Sequence, residues 1–159
     1  MSTTLTADGL MLRYVVHGDP AAIRLPEPRP AQAADGLWQH TCCEAFIAPA
    51  AGTAYREFNF SPSGEWAAYS FTDYRARDIA YHAPHGPRIE LQQLANGFEL
   101  TASLAPALLP AGPAWQIGLT VVIEAADGSK SYWALAHAAA QPDFHLRPSF
   151  SLNLKAARP

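Results

Sequence analysis

The sequence has only two cysteines, and they are adjacent, Cys42 and Cys43. Neighbouring residues on a strand project to opposite faces, so this pair cannot staple distant segments, and a disulfide scaffold is excluded. No further cysteine stands at metal-ligand spacing, which leaves Cys43 as an expected small core residue. Charge is also scarce: 16% of residues are charged, with a net charge of -3 and a pI near 6.0, so there is no broad positive field for phosphates and no nucleic-acid partner is expected. No apolar run reaches membrane-spanning length, and no membrane partner is expected. The start, MSTTLTADGLMLRYVV, lacks the basic residues and long apolar stretch of a secretory signal, and a cytoplasmic location is the expectation. A nucleotide-binding glycine loop, a Ser-His-Asp arrangement and a metal motif are all missing.

What is present is apolar content, at 49% of 159 residues, enough to bury a sizeable core in a single domain spanning residues 1–159. It is organised as many short strands with little helix. Leu10 to Val16 is an apolar run closed by HGDP, and LPEPRP after it is too rich in proline for a central ladder. Thr41 to Ala48, Ala54 to Ser61 and Glu65 to Thr72 read as consecutive antiparallel strands, the last two joined by Pro62-Ser63-Gly64. Residues 73–87 have the composition of a long exposed loop that borders a site. Arg88 to Leu94 and Phe98 to Leu104 flank Asn96-Gly97, a strong hairpin signal, and Asp127-Gly128 marks another. Prolines limit residues 105–113 to one helical turn. Trp115 to Glu124, Ser131 to Ala136 and Ser149 to Lys155 bring the total to about nine strands. Closely spaced strands with turn chemistry between them predict an all-β antiparallel sandwich, of jelly-roll or immunoglobulin-like form.

Alternation gives residues 35–66 chemical content. In Ala54 to Ser61, Arg56, Phe58 and Phe60 share one face, the predicted core, while Tyr55, Glu57, Asn59 and Ser61 share the other. In Thr41 to Ala48, burying Cys43, Ala45 and Ile47 puts Glu44 on the second face, near Glu57 and Asn59 if the strands pair. In Glu65 to Thr72, burying Ala67, Tyr69 and Phe71 turns Trp66 onto that polar face. Trp115 is in phase with Ile117, Leu119, Val121 and Ile123 and belongs to the core, whereas Trp38 precedes a strand in a loop. An indole beside carboxylates suits a sugar, whose C–H face stacks on aromatics while its hydroxyls take charge-assisted hydrogen bonds. Each of these polar residues is equally consistent with an ordinary solvent-facing strand position.

The order DGLW, CCEAFI, YREFNFSPSGEW, SYWALAH and PDFHLRPSFSLNL resembles the bacterial DOMON-like proteins and, more distantly, the family 9 carbohydrate-binding modules. The resemblance covers most of the chain. It implies an antiparallel β-sandwich and a superfamily whose members bind sugars between aromatic side chains, or haem. It places Trp38, Glu44, Glu57 and Asn59 where the sugar-binding relatives have an aromatic wall and polar contacts, with Arg75 as an addition. At 40–42 this chain has HTC where the sugar-binding pattern carries a carboxylate.

The expected function is a non-catalytic module for a small ligand, a carbohydrate or related polar metabolite, using Trp38, Glu44, Glu57, Asn59, Trp66 and Arg75, with no cofactor and no metal. Three alternatives stand beside it. Haem would draw on a Met and a His as axial ligands, and the chain has Met11 and six histidines, of which His137 and His145 lie in the resembling segment. A glycoside hydrolase would use Glu44 and Glu57 as acid and base. A protein-interaction module would use a sheet face or edge. His145 has a plainer role open to it, fixing the final strand.

Overall fold

The structure of the protein, a computed structural model, describes residues 1–155; residues 156–159, which the single-domain expectation includes, lie outside the described residues. It is an antiparallel β-sandwich, as alternation and turn spacing predict. One sheet has four strands in the order β1 (Ser2–Thr6), β2 (Gly9–His17), β8 (Gly97–Leu104) and β7 (Arg88–Leu94). The other runs β10 (Lys130–Ala134), β9 (Ala114–Glu124), β3 (Cys42–Pro49), β4 (Tyr55–Phe60), β5 (Trp66–Asp73) and β6 (Ala76–Arg77). The long β9 also pairs through its first residues with β11 (Leu152–Lys155), so β10 and β11 share one flank of it.

Two strands escape the sequence pattern. β1 carries a single leucine in STTLT, and β6 is two residues long. The hairpins form where turn residues predict them. Gly64 and Gly128 adopt positive φ in the turns after β4 and β9, and Gly97 opens β8 at φ 138°. Residues 106–108 make one 3-10 turn that starts at Pro106, the limit predicted for that segment.

Between the sheets lies the main core, built from Leu10, Leu12 and Tyr14 of β2, Cys43, Ala45 and Ile47 of β3, Phe58 and Phe60 of β4, and the alternating Trp115 to Val121 of β9. The expected inward faces of β3, β4 and β9 are therefore the observed ones. Phe58 and Phe60 lie parallel at 6.3 Å, and the Tyr14 hydroxyl reaches across to donate to the Glu44 carbonyl at 2.8 Å, tying the sheets together.

The outer face of the larger sheet is not the open polar face that alternation suggests. Phe46, Ala48, Tyr55 and Phe71 are buried there beneath Phe150, with Tyr69 and Phe144 packed at their margin. The C-terminal segment thus folds back over this face before entering β11. Burial on both faces is why β3 reads as buried from Cys42 to Ala48 without interruption.

Candidate functional site

The folded-back segment covers only part of the outer face, and beside it a cleft of about 1070 Å³ opens over the same strands. Its floor is set by register. Glu44 of β3 stands opposite Asn59 of β4, and Phe46 opposite Glu57, so the two glutamates are diagonal neighbours on one face. Thr120 of β9 lies across from Glu44, and Tyr69 and Phe71 of β5 lie across from Glu57 and Tyr55. The walls are Trp38, on the 3-10 turn Leu37–Gln39, Tyr132 of β10, and Phe144 and His145 of the C-terminal segment. Arg75 and Arg77 of the β5–β6 hairpin close one end.

The carboxyl groups on the floor are costly to ionise. Glu44 is 3% exposed, and burial, reinforced by the nearby Glu57 charge, pushes its pKa up to about 8 against the one hydrogen bond it accepts, from Thr120 Oγ1 to Oε2 at 2.9 Å. At neutral pH it is mainly the neutral acid. Burial also raises Glu57, opposed by the hydrogen bond from Asn59 Nδ2 to Oε1 at 2.7 Å and by Arg75 and Arg77. His145 Nε2 is 3.7 Å from Glu57 Oε2, but burial and then Arg75 hold the ring's pKa down at about 4, so it is neutral. Tyr55 Oη accepts from the Arg75 backbone N–H at 3.1 Å and lies 2.7 Å from His145 Nδ1. In the tautomer in which the hydroxyl donates to Nδ1, the ring's own proton is on Nε2, facing Glu57.

These shifts predict an unusual stability profile. In the folded chain Glu44 keeps its proton to about pH 8, and in the unfolded chain it loses it near its ordinary 4.5. The folded state binds the extra proton between those values, so stability falls as pH rises through them. His145 has the opposite sign. Its folded pKa of about 4 is below the ordinary 6.5, so its contribution is present above 6.5 and is lost as pH falls towards 4. Denaturant melts should show a gain on the order of 1–2 kcal/mol on acidifying from pH 8 to 6.5. Glu44→Gln should lose most of this gain, leaving the smaller part from Glu57. An unchanged slope in the variant would mean that Glu44 ionises normally.

The six predicted site residues divide three ways. Trp38, Glu44, Glu57 and Arg75 all line the cleft. Asn59, wholly buried, does not; it sits on the same face and holds the Glu57 carboxylate. Trp66 is on the wrong face, a correction to the sequence reading. It pairs opposite Phe60, on the core side of β5, and its indole packs against the backbone at Gly86. The error came from treating Ala67, Tyr69 and Phe71 as facing the main core, when all three are on the outer face, Phe71 and Tyr69 in the second aromatic cluster and Ala67 opposite Asn59.

Arg75 lines the cleft from an unusual backbone position, φ 53°. Its guanidinium is paired with Asp143 at 3.0 Å and meets Tyr74 Oη at 3.3 Å, and Tyr74 Oη donates to the same carboxylate at 2.6 Å. Arg77 lies over the Tyr69 ring and 3.9 Å from Asp35, which accepts from Tyr69 Oη at 2.7 Å. The sequence reading missed Tyr69, Tyr132 and His145 as wall or floor residues. The alternation on β5 and β10 contained the signal for the tyrosines, whereas nothing local brings His145 to Glu57.

Haem does not fit this site. Met11 is on the outer face of the four-stranded sheet, in register with Thr4 and Ser103, and His145 is on the outer face of the other sheet. Both layers of the sandwich separate them. Cys42, beside Asn59, is fully buried and its thiol is raised well above its ordinary pKa by burial, which disfavours a reactive thiolate.

No described protein family and no curated protein matches the sequence. Among solved structures, the chain is similar to a candidate carbohydrate-binding protein from Bacteroides uniformis, with a TM-score of 0.59 and 13% sequence identity over 92% of this chain and 70% of that one. At that identity the likeness is one of fold.

Proposed function

We propose that this chain is a non-catalytic small-ligand-binding module that takes a carbohydrate or related polar metabolite in the cleft of the larger sheet. The observation that carries the reading is the pairing of two buried carboxyl groups on the floor with exposed aromatic rings at the rim, Trp38 at 51% and Tyr132 at 44% exposure. A pyranose presents an apolar face to such rings and hydroxyls to such carboxyls. The resemblance of CCEAFI and YREFNFSPSGEW to DOMON-like and family 9 carbohydrate-binding sequences supports it, as does the carbohydrate assignment given to the structural neighbour.

The glycoside hydrolase reading is less well supported. Its two carboxyls must flank a scissile bond from different sides. Here Glu44 and Glu57 are side by side on one sheet surface.

Thermal-shift and calorimetric screening across mono- and oligosaccharides tests the proposal. A binder is expected, and Trp38→Ala should weaken it by roughly tenfold or more while leaving the melting temperature of the free protein nearly unchanged, because half the indole is already in water. Binding that is indifferent to Trp38→Ala and Glu57→Gln would place the ligand elsewhere, and turnover of a glycoside would favour the enzyme.

A further inference from the structure

The cleft floor holds two carboxyl groups, Glu44 and Glu57, that make no salt bridge to an arginine or lysine among the described residues. Among the described residues, Arg75 and Arg77 act on Glu57 only through space, and their salt bridges go to other carboxylates, Arg75 to Asp143 at 3.0 Å and Arg77 to Asp35 at 3.9 Å. The remaining groups that face the glutamates are uncharged: Thr120, Asn59, Tyr55, Tyr69, the Cys42 thiol and the neutral ring of His145. Glu44 is almost wholly buried and lines the cleft, yet among the described residues only its Oε2 has a hydrogen-bond donor. Glu57 has Asn59 on Oε1 and, on Oε2, the longer 3.7 Å approach of His145. Two adjacent carboxyl groups thus open towards the ligand space, Glu44 mainly as the neutral acid, with no cation bound to them among the described residues.

We propose that the ligand of this cleft carries a primary amine, as an amino sugar or its oligomers do, and that its ammonium group sits against the Glu44 and Glu57 carboxyls. This rests on the carbohydrate-binding reading and narrows it. An ammonium supplies three donors and a positive charge, which matches two neighbouring carboxyls; a hydroxyl supplies one donor and no charge. Aromatic rims at Trp38 and Tyr132 suit the apolar face of the same sugar. The ammonium also makes Glu44 easier to ionise, so binding at pH 6, where the amine arrives already protonated, transfers the Glu44 proton to the buffer, leaving two carboxylates around one cation.

The test uses three β-1,4-linked hexose trimers that differ only at C2: hydroxyl (cellotriose), free amine (the chitosan trimer) and acetamide (chitotriose). They are titrated calorimetrically into the full chain at pH 6, where the amines are ammonium groups, and moderate salt, in two buffers of different ionisation enthalpy. The amine trimer is expected to bind at least roughly tenfold tighter than either neutral trimer, with proton release visible as a buffer-dependent heat. Glu57→Gln, which retains the Asn59 contact, should erase most of the preference, and Glu44→Gln should remove most of the proton release. Glu27→Gln, an exposed loop position, should change neither and controls for non-specific attraction. Neutral trimers binding as well as the amine would overturn the amine assignment and leave the carbohydrate reading standing. If none of the three binds, both fall. Amine preference that survives Glu57→Gln and Glu44→Gln together would also overturn it.

Discussion

Replacing Phe46 by alanine should remove about 3–5 kcal/mol of folding stability and abolish ligand binding in the protein that remains folded. Phe46 is 1% exposed, and its ring centre is 5.1 Å from His145, 5.9 Å from Phe150, 6.4 Å from Phe144 and 6.5 Å from Tyr55. It is the residue on which the folded-back segment rests. Loss of its ring leaves a cavity under Phe144 and His145 that the rigid β3 backbone, paired on both sides, cannot collapse to fill. Those two residues form one wall of the cleft, so their displacement removes the shape that receives the ligand.

For a chain of this length the loss corresponds to a fall of roughly 6–20 °C in melting temperature. Trp133→Ala deletes a larger ring that is 60% exposed and should cost no more than about 0.5 kcal/mol. Urea melts of the two variants check the contrast. Equal losses would show that the outer cluster contributes nothing beyond surface packing.

The second large effect is expected at Gly97. Its φ of 138° is one that side chains rarely adopt, and an added Cβ would come within 1.9 Å of the Val16 carbonyl oxygen and 2.9 Å of its carbon. Both are backbone atoms of β2, which cannot swing away as a flexible side chain would. β8 is paired to β2 on one side and β7 on the other, so relief requires breaking part of either ladder. Gly97→Ala should therefore cost about 3 kcal/mol or more. Gly128 supplies the comparison. It also has positive φ, 85°, but an added Cβ meets nothing within 4 Å, and Gly128→Ala should cost only about 1–2 kcal/mol of conformational strain. If the two variants melt together, the close approach of β8 to β2 is not present in solution.

Much of this molecule was legible in the order of its residues. Period-two alternation identified the inward faces of β3, β4 and β9, because Cys43, Ala45, Ile47, Phe58, Phe60 and the Trp115 series are wholly apolar, whereas the other face mixes Glu44, Glu57, Asn59 and Thr120 with apolar residues such as Phe46 and Tyr55. The same alternation put Glu44, Glu57 and Asn59 on one surface, and strand pairing made them neighbours. Trp66 was misplaced for an equally physical reason. β5 has apolar residues on both faces, Ala68 towards the main core and Tyr69 and Phe71 towards the outer cluster, so the pattern does not tell which face is which.

The sequence by itself determined that the chain pairs short strands into a sandwich, where the hairpins reverse, and which side of the central strands is apolar, since these follow from side-chain alternation and turn chemistry within a few residues. Only the tertiary structure decided that the outer face is half covered, that His145 stands beside Glu57 and Tyr132 beside Phe144, and that the arginines are already paired. Those contacts join positions up to 90 residues apart, as Tyr55 and His145 are. They depend on the path of the C-terminal segment across the sheet, and no local periodicity encodes that path. It is this path that helps to give Glu44 and Glu57 the buried setting that raises the pKa of both.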